Sequence, residues 1–561
     1  MASQPVPEAT SQSNPRSIAA WAPHAFLTLI YFLTHSLGLL DRGLFWDDWV
    51  FWQQDKQLVA EVSRDMGSVW PTNINHWIFY SQFGITFGRL LSFAGLLVAT
   101  LLLFGIVRRL PKMTDSTAFW IAALFAVYPG FTSREALVMT AYSLCLMFFL
   151  GAIWLNVRFS PKPKWWVHVA AVVLLFLSYH TRSLLVLSGF MPIVFLMADP
   201  PASWKLLDVI KRLLAYTGEL VMPFLFFVMT KLWFQPRGLY ADYNQFLSQD
   251  TQLSDVLWSG IVHSNPISIV WTQVTPERLA LVAACIVMVP LSLWAWRRWS
   301  LEHNASDIWL LDSGLLLVLL AVAPYAAVGK IPMFSGFESR HQLLTPIGWG
   351  AIIVAIAQGH ARGRWKYGRV LISVALAFTM GYFTAVHLQS YIGYEREWLK
   401  EQAMMEAFRV NPQIKAAHTI LFVDRTEDWN AGHRSGRQHY EYSGMMAQVF
   451  GDQSRWGIER AHFKYIPDTF PTGFRALDHN QYYNLKDWTL HSPDIVVTIA
   501  EGKPDLTSSK TVVRYMLLDW TDRARLRKEL AHSIKLTSLP YSWKPGQPLV
   551  DYQVPPQIPE Y

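Results

Sequence analysis

Charged residues and cysteines are scarce in this chain. Of its 561 residues 16% are charged, and only two are cysteines; an average soluble protein has about 25% charged residues. Cys145 and Cys285 both lie in apolar segments, which excludes a disulfide framework and a cysteine-based metal site. We find neither a glycine-rich phosphate-binding loop nor an internal repeat. The low charge, together with 52% hydrophobic residues, is typical of a membrane protein.

Long apolar segments fill the chain up to about residue 390, and charge is dense after it. Since about 20 apolar residues cross a bilayer as a helix, we predict an α-helical polytopic membrane protein with about eleven transmembrane helices. The predicted segments are 18–40, 82–107, 116–131, 138–157, 165–180, 183–198, 214–234, 278–296, 308–328, 342–358 and 370–388.

Loop charges predict the orientation of these segments. Alternate loops carry basic clusters, which are "RRLPK", "RFSPKPK", "KLLDVIKR", "RR" and "RGRWKYGR". Such clusters mark the cytoplasmic face of a membrane rather than a nucleic-acid surface, so we predict no nucleic-acid partner. The transmembrane domain is then 18–390, after a disordered cytoplasmic N-terminus over 1–17. The first extracytoplasmic loop is 41–81, and its stretch "DDWVFWQQDKQLVAEVSRDMG" could form an amphipathic surface helix.

Residues 391–561 are predicted to form an extracytoplasmic, periplasmic α/β domain. The stretches "HTILFVD", "DIVVTIAEG" and "TVVRYMLLDW" have the apolar, β-branched character of buried strands, and "DRARLRKELAHSI" has helical character. The polar stretch Asp424–Tyr442 matches no metal motif, so we expect a solvated loop without a catalytic role.

Two adjacent carboxylates, Asp47 and Asp48, stand between tryptophans just after the first apolar segment. A general base for glycosyl transfer must be ionised and shielded from bulk water, and Trp46 and Trp49 could supply walls that stack on a sugar. Neighbouring residues point in different directions, so the two carboxylates would have different tasks. One could be the base while the other binds a divalent cation such as Mg or Mn, although no metal site is assigned. Alternatively, both cap the following helix.

Cations are expected to collect on the same side of the membrane. Arg binds phosphate oxygens with a planar fork, so these side chains could hold a lipid phosphate as it leaves. The alternatives are a salt bridge from Glu338 to Arg340 or Lys330 that fixes the loop, and interfacial snorkelling of His180 and Arg182. Arg89 lies inside an apolar helix, where a lone Arg costs about 2.5–3.5 kcal/mol, so we expect it to be buried against Asp47 or Asp48, or against a bound phosphate. The predicted phosphate-binding residues are Arg89, Arg340, His341, Arg182 and His180, with Glu338 as a substrate contact beside Trp46 and Trp49.

The layout resembles the GT-C superfamily of polytopic glycosyltransferases, which includes protein O-mannosyltransferases and the aminoarabinose transferases of lipid A. The resemblance rests on "WDDW" after the first helix, the amphipathic segment behind it and the late soluble domain, and it covers about 18–390. It implies that Asp47 is the base and Asp48 its helper. "ESRHQLLTP" is similar to an Arg-aromatic-Leu-Leu-Pro element of bacterial relatives, which implies that Arg340 is a ligand of the donor phosphate. Asp-Asp replaces the Asp-Glu of the family.

These patterns together predict a multi-pass glycosyltransferase of the bacterial inner membrane. It would transfer a sugar from a polyprenyl-phosphate donor to a glycan, lipid A or protein acceptor on the outer side, among membrane lipids. Two alternatives stay open. An O-antigen ligase or polymerase would use outer Arg and His residues without a first-loop carboxylate, and a transporter or flippase would use Asp47, Asp48 and Arg89 as a substrate or proton pathway.

Overall fold

The fold is that of a computed structural model of the whole chain. It describes residues 16–52, 60, 63–69, 78, 84–161, 163–237, 252–268, 277–301, 307–334, 336–361, 367–430, 436–452, 454–459 and 494–540. Residues 1–15 of the N-terminus predicted to be disordered, and residues 53–59, 61 and 62 of the predicted surface helix, lie outside this description.

Helices dominate the described part up to residue 410. They are α1 (Arg16–His35), α2 (Asp48–Phe51), α3 (Gly84–Val107), α4 (Asp115–Val127), α5 (Thr140–Phe159), α6 (Trp165–Ser178), α7 (Ser183–Leu187), α8 (Met191–Ala198), α9 (Leu206–Leu214), α10 (Thr217–Trp233), α11 (Leu253–His263), α12 (Arg278–Arg298), α13 (Asp307–Ala326), α14 (Thr345–Ala361) and α15 (Gly368–Val410). Short 3-10 turns at Thr132–Glu135, Leu137–Met139 and Phe337–Gln342 lie between them.

Five helical stretches of the described chain are long and apolar enough to cross a membrane, which gives it the character of a multi-pass membrane protein. They are Gly84–Val107, Leu137–Phe159, Ala280–Arg298, Ile308–Ala326 and Gly368–Val410, and α9 with α10 makes a sixth if this pair, bent by 75°, is one span. The predicted count of eleven spans was therefore wrong. Every predicted segment overlaps a helix, but several of these helices are too short to cross a membrane. The 13 residues of α4, for example, extend about 20 Å, whereas the apolar core of a bilayer is about 30 Å thick.

Helix α3 separates two groups of charged residues. Its 24 residues extend about 36 Å, with Arg89 near the start and Arg108 just beyond the end. Burial and the neighbouring charges of Arg158 and Arg108 lower the pKa of Arg109, so two of the predicted cytoplasmic loops lie side by side. The residues of the first loop that contact Arg89 lie at the opposite end of α3.

The last apolar segment continues without a break into the C-terminal domain. Helix α15 has 43 residues, or about 65 Å, and the predicted domain boundary at residue 390 falls inside it. Its second half carries buried charged residues, among them Glu397, Lys400 and Glu401. The two parts of the chain are therefore joined by a helix rather than by a loop.

The C-terminal domain contains a four-stranded sheet with helices around the second half of α15. The elements are α16 (Pro412–Ala416), β1 (Thr419–Asp424), α17 (His439–Phe450), β2 (Trp456–Glu459), β3 (Ile495–Glu501), α18 (Ser509–Thr521), α19 (Arg523–Leu530) and β4 (Ile534–Pro540). The strand order is β2-β1-β3-β4. Strand β1 pairs in parallel with β2 and β3, and β4 is antiparallel to β3.

Two predicted strands and the predicted helix are confirmed as β1, β3 and α19, whereas the predicted strand "TVVRYMLLDW" is part of helix α18. Its buried side chains, Val512, Tyr515, Met516 and Asp519, recur every three or four residues. This is the spacing of a helix face, and the β-branched residues at the start of the segment hid it.

The C-terminal domain packs directly on the first loop. Gly444 of α17 contacts Trp49 so closely that a β-carbon there would lie 2.8 Å from the indole ring. The guanidinium of Arg42 lies 3.7 Å from the centre of the Trp520 ring, and the indole N–H of Trp520 donates to the carbonyl oxygen of Leu40. These contacts join residues more than 390 positions apart, and they bring a helix of the C-terminal domain beside Asp47.

Substitution of Gly348 tests the packing of α14 against α13. A β-carbon at Gly348 would lie 2.7 Å from the carbonyl oxygen of Gly314 and from the backbone nitrogen of Val318. Because backbone cannot move aside cheaply, we expect Gly348→Ala to cost about 1–3 kcal/mol and to lower the melting temperature of the full-length protein in detergent. Gly359→Ala in the same helix is the control, since nothing lies within 4 Å of its β-carbon. Equal melting temperatures for the two variants would contradict this packing.

Candidate functional site

The turn before α2 holds its backbone in an unusual conformation. Trp46 has a φ of +50°, which is uncommon for a bulky residue and costs energy. Its ring is buried, with centroids 5.1 Å from Phe337 and 5.4 Å from Tyr394. Because such conformations persist only where surrounding contacts enforce them, the packing around Trp46 sets the direction in which Asp47 points.

Asp48 is a structural carboxylate. One oxygen accepts hydrogen bonds from the backbone N–H of Phe45 (3.1 Å) and Leu137 (2.9 Å), and the other accepts from the N–H of Val138 (2.9 Å). Burial raises its pKa to about 7, although Arg89 and these three bonds act against the rise. The side chain therefore ties the first loop to the start of the span Leu137–Phe159. These contacts do not support its predicted role as helper of the base or as metal ligand. They are closer to the alternative in which Asp48 caps a helix, although all three N–H groups lie outside α2.

Asp47 is the partly exposed member of the pair. Its Oδ1 accepts a hydrogen bond of 2.9 Å from the hydroxyl of Tyr440, in the C-terminal domain. Burial raises the pKa of Asp47, while the charge of Arg340 and the bond from Tyr440 act in the opposite direction. Asp47 and Arg340 are also linked by packing, because Phe337 contacts both Trp46, next to Asp47, and the guanidinium of Arg340.

Arg340 lies on a short helical turn that is anchored by its neighbour. Ser339 Oγ accepts a 2.8 Å hydrogen bond from the backbone N–H of Ser133 and lies 3.0 Å from the hydroxyl of Thr132. Gly336, just before the turn, has a φ of +68°, where glycine has no steric cost. These contacts fix the turn Phe337–Gln342 against the turn Thr132–Glu135.

Glu338, Arg340 and His341 form one cluster, and the predicted salt bridge is present. Nη2 of Arg340 lies 3.2 Å from Glu338, and Nδ1 of His341 lies 3.0 Å from the same carboxylate. The guanidinium of Arg340 also stacks 3.8 Å from the centre of the Phe337 ring. Burial raises the pKa of Glu338, but the bond from His341 and the charge of Arg340 outweigh it and lower the pKa to about 2. The carboxyl of Glu338 is therefore ionised, and its side chain is half exposed.

Arg89 is paired with one carboxylate of the first loop and one of the turn Thr132–Glu135. Its guanidinium lies 3.6 Å from Glu135 and 3.9 Å from Asp41, and it donates a 3.0 Å hydrogen bond to the carbonyl oxygen of Gly43. Burial raises the pKa of Glu135 to about 8, against the charge of Arg89. Arg89 is thus buried against carboxylates, but they are Asp41 and Glu135 instead of the expected Asp47 or Asp48.

A polar cavity adjoins Arg89 and Glu135. It offers about 20 Å³ to the centre of a water molecule, enough for one water. His35 lines it: its Nε2 donates a 2.7 Å hydrogen bond to the carbonyl oxygen of Ala126, its Nδ1 shares a 2.7 Å hydrogen bond with the hydroxyl of Tyr391, and Arg134 lies 3.2 Å from its ring. The sequence gave no indication that His35 on α1 would meet Arg134 and Glu135.

The structure places His180 and Arg182 beside a different part of the first loop. Arg182 donates a 2.9 Å hydrogen bond to the carbonyl oxygen of Gly67. Burial and the charge of Arg182 lower the pKa of His180 to about 4. The described contacts do not join either residue to Arg340.

Trp46 and Trp49 are not positioned as exposed walls for a sugar. Both are almost fully buried, Trp46 against Phe337 and Tyr394 and Trp49 against Gly444. Their predicted stacking on substrate therefore has no free ring face in the described structure. Their aromatic surface instead joins the first loop to the rest of the chain.

Three buried carboxylates in the C-terminal domain could together hold a metal ion. Oxygens of Glu397, Glu401 and Glu441 lie within 4.8 Å of one another. The guanidinium of Arg437 already lies among them, hydrogen-bonded to Glu401, 3.4 Å from Glu397 and 4.0 Å from Glu441. Because the guanidinium already supplies positive charge where a metal ion would bind, these residues fit an ion-pair cluster better than a binding site for a divalent cation.

The stretch Asp424–Tyr442 is not the solvated loop that its composition predicted. Arg437 and Glu441 are buried, and Asp424 is bonded to Lys400. Burial raises the pKa of Asp424, but the charge of Lys400 and its hydrogen bond lower it below the ordinary value. Tyr440 was missed because its partner lies 393 positions earlier. One local sign was available: Gln438 and Glu441 form a capping box at the start of α17.

No protein-family model matches this chain, and neither does any curated protein. The site must therefore be interpreted from its own geometry.

Substitution of the two aspartates separates their roles. Asp48→Ala leaves three buried N–H groups without their acceptor, and each such group costs about 1–3 kcal/mol, so a large fall in melting temperature is expected. Asp47→Ala removes one hydrogen bond at a partly exposed position and should cost about 1 kcal/mol. Thermal unfolding of both full-length variants in detergent is the measurement. A fall for Asp47→Ala as large as that for Asp48→Ala would refute this assignment.

Proposed function

We propose that this chain is an integral-membrane glycosyltransferase that uses a polyprenyl-phosphate-linked sugar donor. The supporting observation is that Phe337 contacts both Trp46, the residue before the partly exposed Asp47, with 5.1 Å between ring centroids, and the guanidinium of Arg340, at 3.8 Å. A carboxylate that can accept a proton and a cation that can hold a phosphate are the two groups that such a transfer requires. The resemblance to the GT-C superfamily in layout favours the same function.

Asp47 is the proposed base. Its carboxylate would take the proton of an acceptor hydroxyl while the hydroxyl oxygen bonds to the anomeric carbon of the donor sugar. The raised pKa of Asp47 brings it closer to neutral, which makes the ionised group a better proton acceptor near pH 7. Asp48 would act only by holding the turn.

Arg340 is the proposed ligand of the leaving group. As the bond between the anomeric carbon and the phosphate oxygen breaks, negative charge gathers on the polyprenyl phosphate, and a guanidinium can bind two of its oxygens. Glu338, the present partner of Arg340, is half exposed and can turn toward solvent when a phosphate takes its place. His341 supports Arg340 from 3.3 Å.

We further propose that the chain lies in the bacterial inner membrane, with the site on the extracytoplasmic face and the basic loops in the cytoplasm. Helix α9 supports this arrangement. No residue of α9 is buried, and Leu206, Leu207 and Leu214 are 75%, 62% and 63% exposed. Since Asp208, Lys211 and Arg212 follow the opposite face, α9 has the pattern of a helix lying in a lipid headgroup region beside anionic lipids.

Sugar transfer from a polyprenyl donor tests the assignment. Full-length protein in nanodiscs would be supplied with radiolabelled undecaprenyl-phosphate hexose or aminopentose donors and a bacterial glycolipid extract. Asp47→Asn should lower kcat by about a hundredfold or more, because the amide cannot take the proton. Arg340→Ala should weaken the binding of undecaprenyl phosphate itself, and Arg340→Lys should restore part of it.

Arg514→Ala is the control for the loss of a cation, because Arg514 is exposed and pairs with Glu529 at 2.8 Å within the C-terminal domain. Full transfer by both Asp47→Asn and Asp48→Asn would disprove a carboxylate base. If only Arg340→Ala and His341→Ala lose activity, the enzyme is a ligase of the O-antigen type.

Cysteine labelling tests the orientation. With Cys145 and Cys285 replaced by serine, a membrane-impermeant maleimide should label Arg525→Cys in intact spheroplasts and Lys211→Cys only after permeabilisation. Both positions are exposed, so a difference reports the side of the membrane. The opposite pattern would place the candidate site in the cytoplasm and exclude an extracytoplasmic acceptor.

Transport is the second candidate function, favoured by the buried ionisable residues around Arg89. Ionisable side chains inside a membrane domain often mark proton or ion pathways, and Arg89, Glu135, Arg134 and His35 line one polar cavity. A transporter would lose activity on Glu135→Gln and keep it on Arg340→Ala. Movement of a labelled lipid-linked sugar across proteoliposome membranes distinguishes the two functions.

A further inference from the structure

Tyr440 reaches the first loop from the C-terminal domain. It is the second residue of α17, whose start is fixed by a 2.7 Å hydrogen bond from the N–H of Gln438 to the carboxylate of Glu441. One turn later, Gly444 packs on the ring of Trp49, two residues after Asp47. Tyr440 is thus held at both the helix start and the helix face, and its hydroxyl donates to Oδ1 of Asp47 at 2.9 Å.

Charged or hydrogen-bonding groups act on Asp47 from two elements. Arg340 and Glu338 come from the turn Phe337–Gln342, and Tyr440 and Glu441 come from α17. Arg340 and Tyr440 favour the ionised carboxylate, and the two glutamates disfavour it. Among the described contacts, the bond from Tyr440 is the one that fixes an oxygen of Asp47 directly.

We propose that Tyr440 is a positioning residue for Asp47, so that the C-terminal domain completes the transfer site instead of acting as a separate module. The inference rests on the proposed function in one respect, the role of Asp47 as base. A hydrogen bond to a carboxylate favours its charged form and selects one rotamer. A phenol on a rigid helix does both without adding a charge that would repel or hold the acceptor.

A purely structural role for Tyr440 makes a different prediction. If the hydroxyl only held the C-terminal domain on the first loop, its loss would lower the amount of active protein equally at every pH. If it positions Asp47, its loss raises the pKa of that carboxylate, and activity that needs the ionised form is lost mainly at low pH. The pH dependence of transfer therefore separates the two roles.

The first experiment measures kcat and KM for the undecaprenyl-phosphate sugar donor against pH, with full-length Tyr440→Phe and wild type in nanodiscs. We expect the acidic limb of kcat to move to higher pH and kcat at neutral pH to fall about ten- to a hundredfold, with little change in KM.

Tyr442→Phe is the matched control. It removes a hydroxyl from the same helix, one that lies 3.2 Å from Glu459 and away from Asp47, and its acidic limb should stay in place. The proposal is overturned if the Tyr440→Phe profile superimposes on wild type after scaling, or if Tyr442→Phe moves the limb equally.

The second experiment does not depend on catalysis. The melting temperatures of Asp47→Ala, Tyr440→Phe and the double variant in detergent form a cycle, and residues in contact should give effects that do not add. Additive changes would overturn the inference outright. Coupled melting temperatures in a wild-type protein that transfers no sugar would instead reject the proposed function and the positioning role, while the contact would stand.

Discussion

The candidate site depends on one buried carboxylate that accepts three backbone hydrogen bonds. Asp48 joins the N–H of Phe45 to those of Leu137 and Val138, so the first loop and the start of a membrane-spanning helix share one acceptor. Buried backbone N–H groups need a hydrogen-bond acceptor. Here the carboxylate of Asp48 is that acceptor, in place of a backbone carbonyl of a helix or a β-sheet. Asp47 directly precedes Asp48, so these three hydrogen bonds also restrain the position of its backbone. The positive φ of Trp46, just before this pair, is held by the contacts of its ring with Phe337 and Tyr394.

The buried arginines of this chain have two kinds of partner, buried carboxylates and a half-exposed carboxylate. Arg89 and Arg437 are buried among carboxylates, Asp41 and Glu135 for the first and three glutamates for the second. Pairing offsets their desolvation and leaves them little freedom to bind a ligand. Arg340 instead pairs with the half-exposed Glu338. A cation whose partner can leave is the better candidate for a substrate phosphate, which is why Arg340 is retained in the proposal and Arg89 is not.

Patterns of apolar residues located the helices of the membrane part but not their lengths. The segment that became α4 looked long enough to span, yet its helix ends at Val127 because the chain turns into the 3-10 segment that carries Arg134. In the C-terminal domain the same patterns found β1 and β3, and they mistook α18 for a strand. Local sequence reports which residues are buried, and neighbouring elements decide the geometry in which they are buried.

The sequence alone determined that much of the chain is apolar enough for a membrane, that its basic loops alternate, and that an Asp pair follows the first helix. These features depend on composition and on spacing along the chain, which no contact can change. Only the tertiary structure decided which aspartate is structural, which arginines are paired, and that Tyr440 reaches Asp47 across 393 positions. A hydrogen bond between such distant residues follows from how α17 packs on the first loop, and no local pattern carries that information.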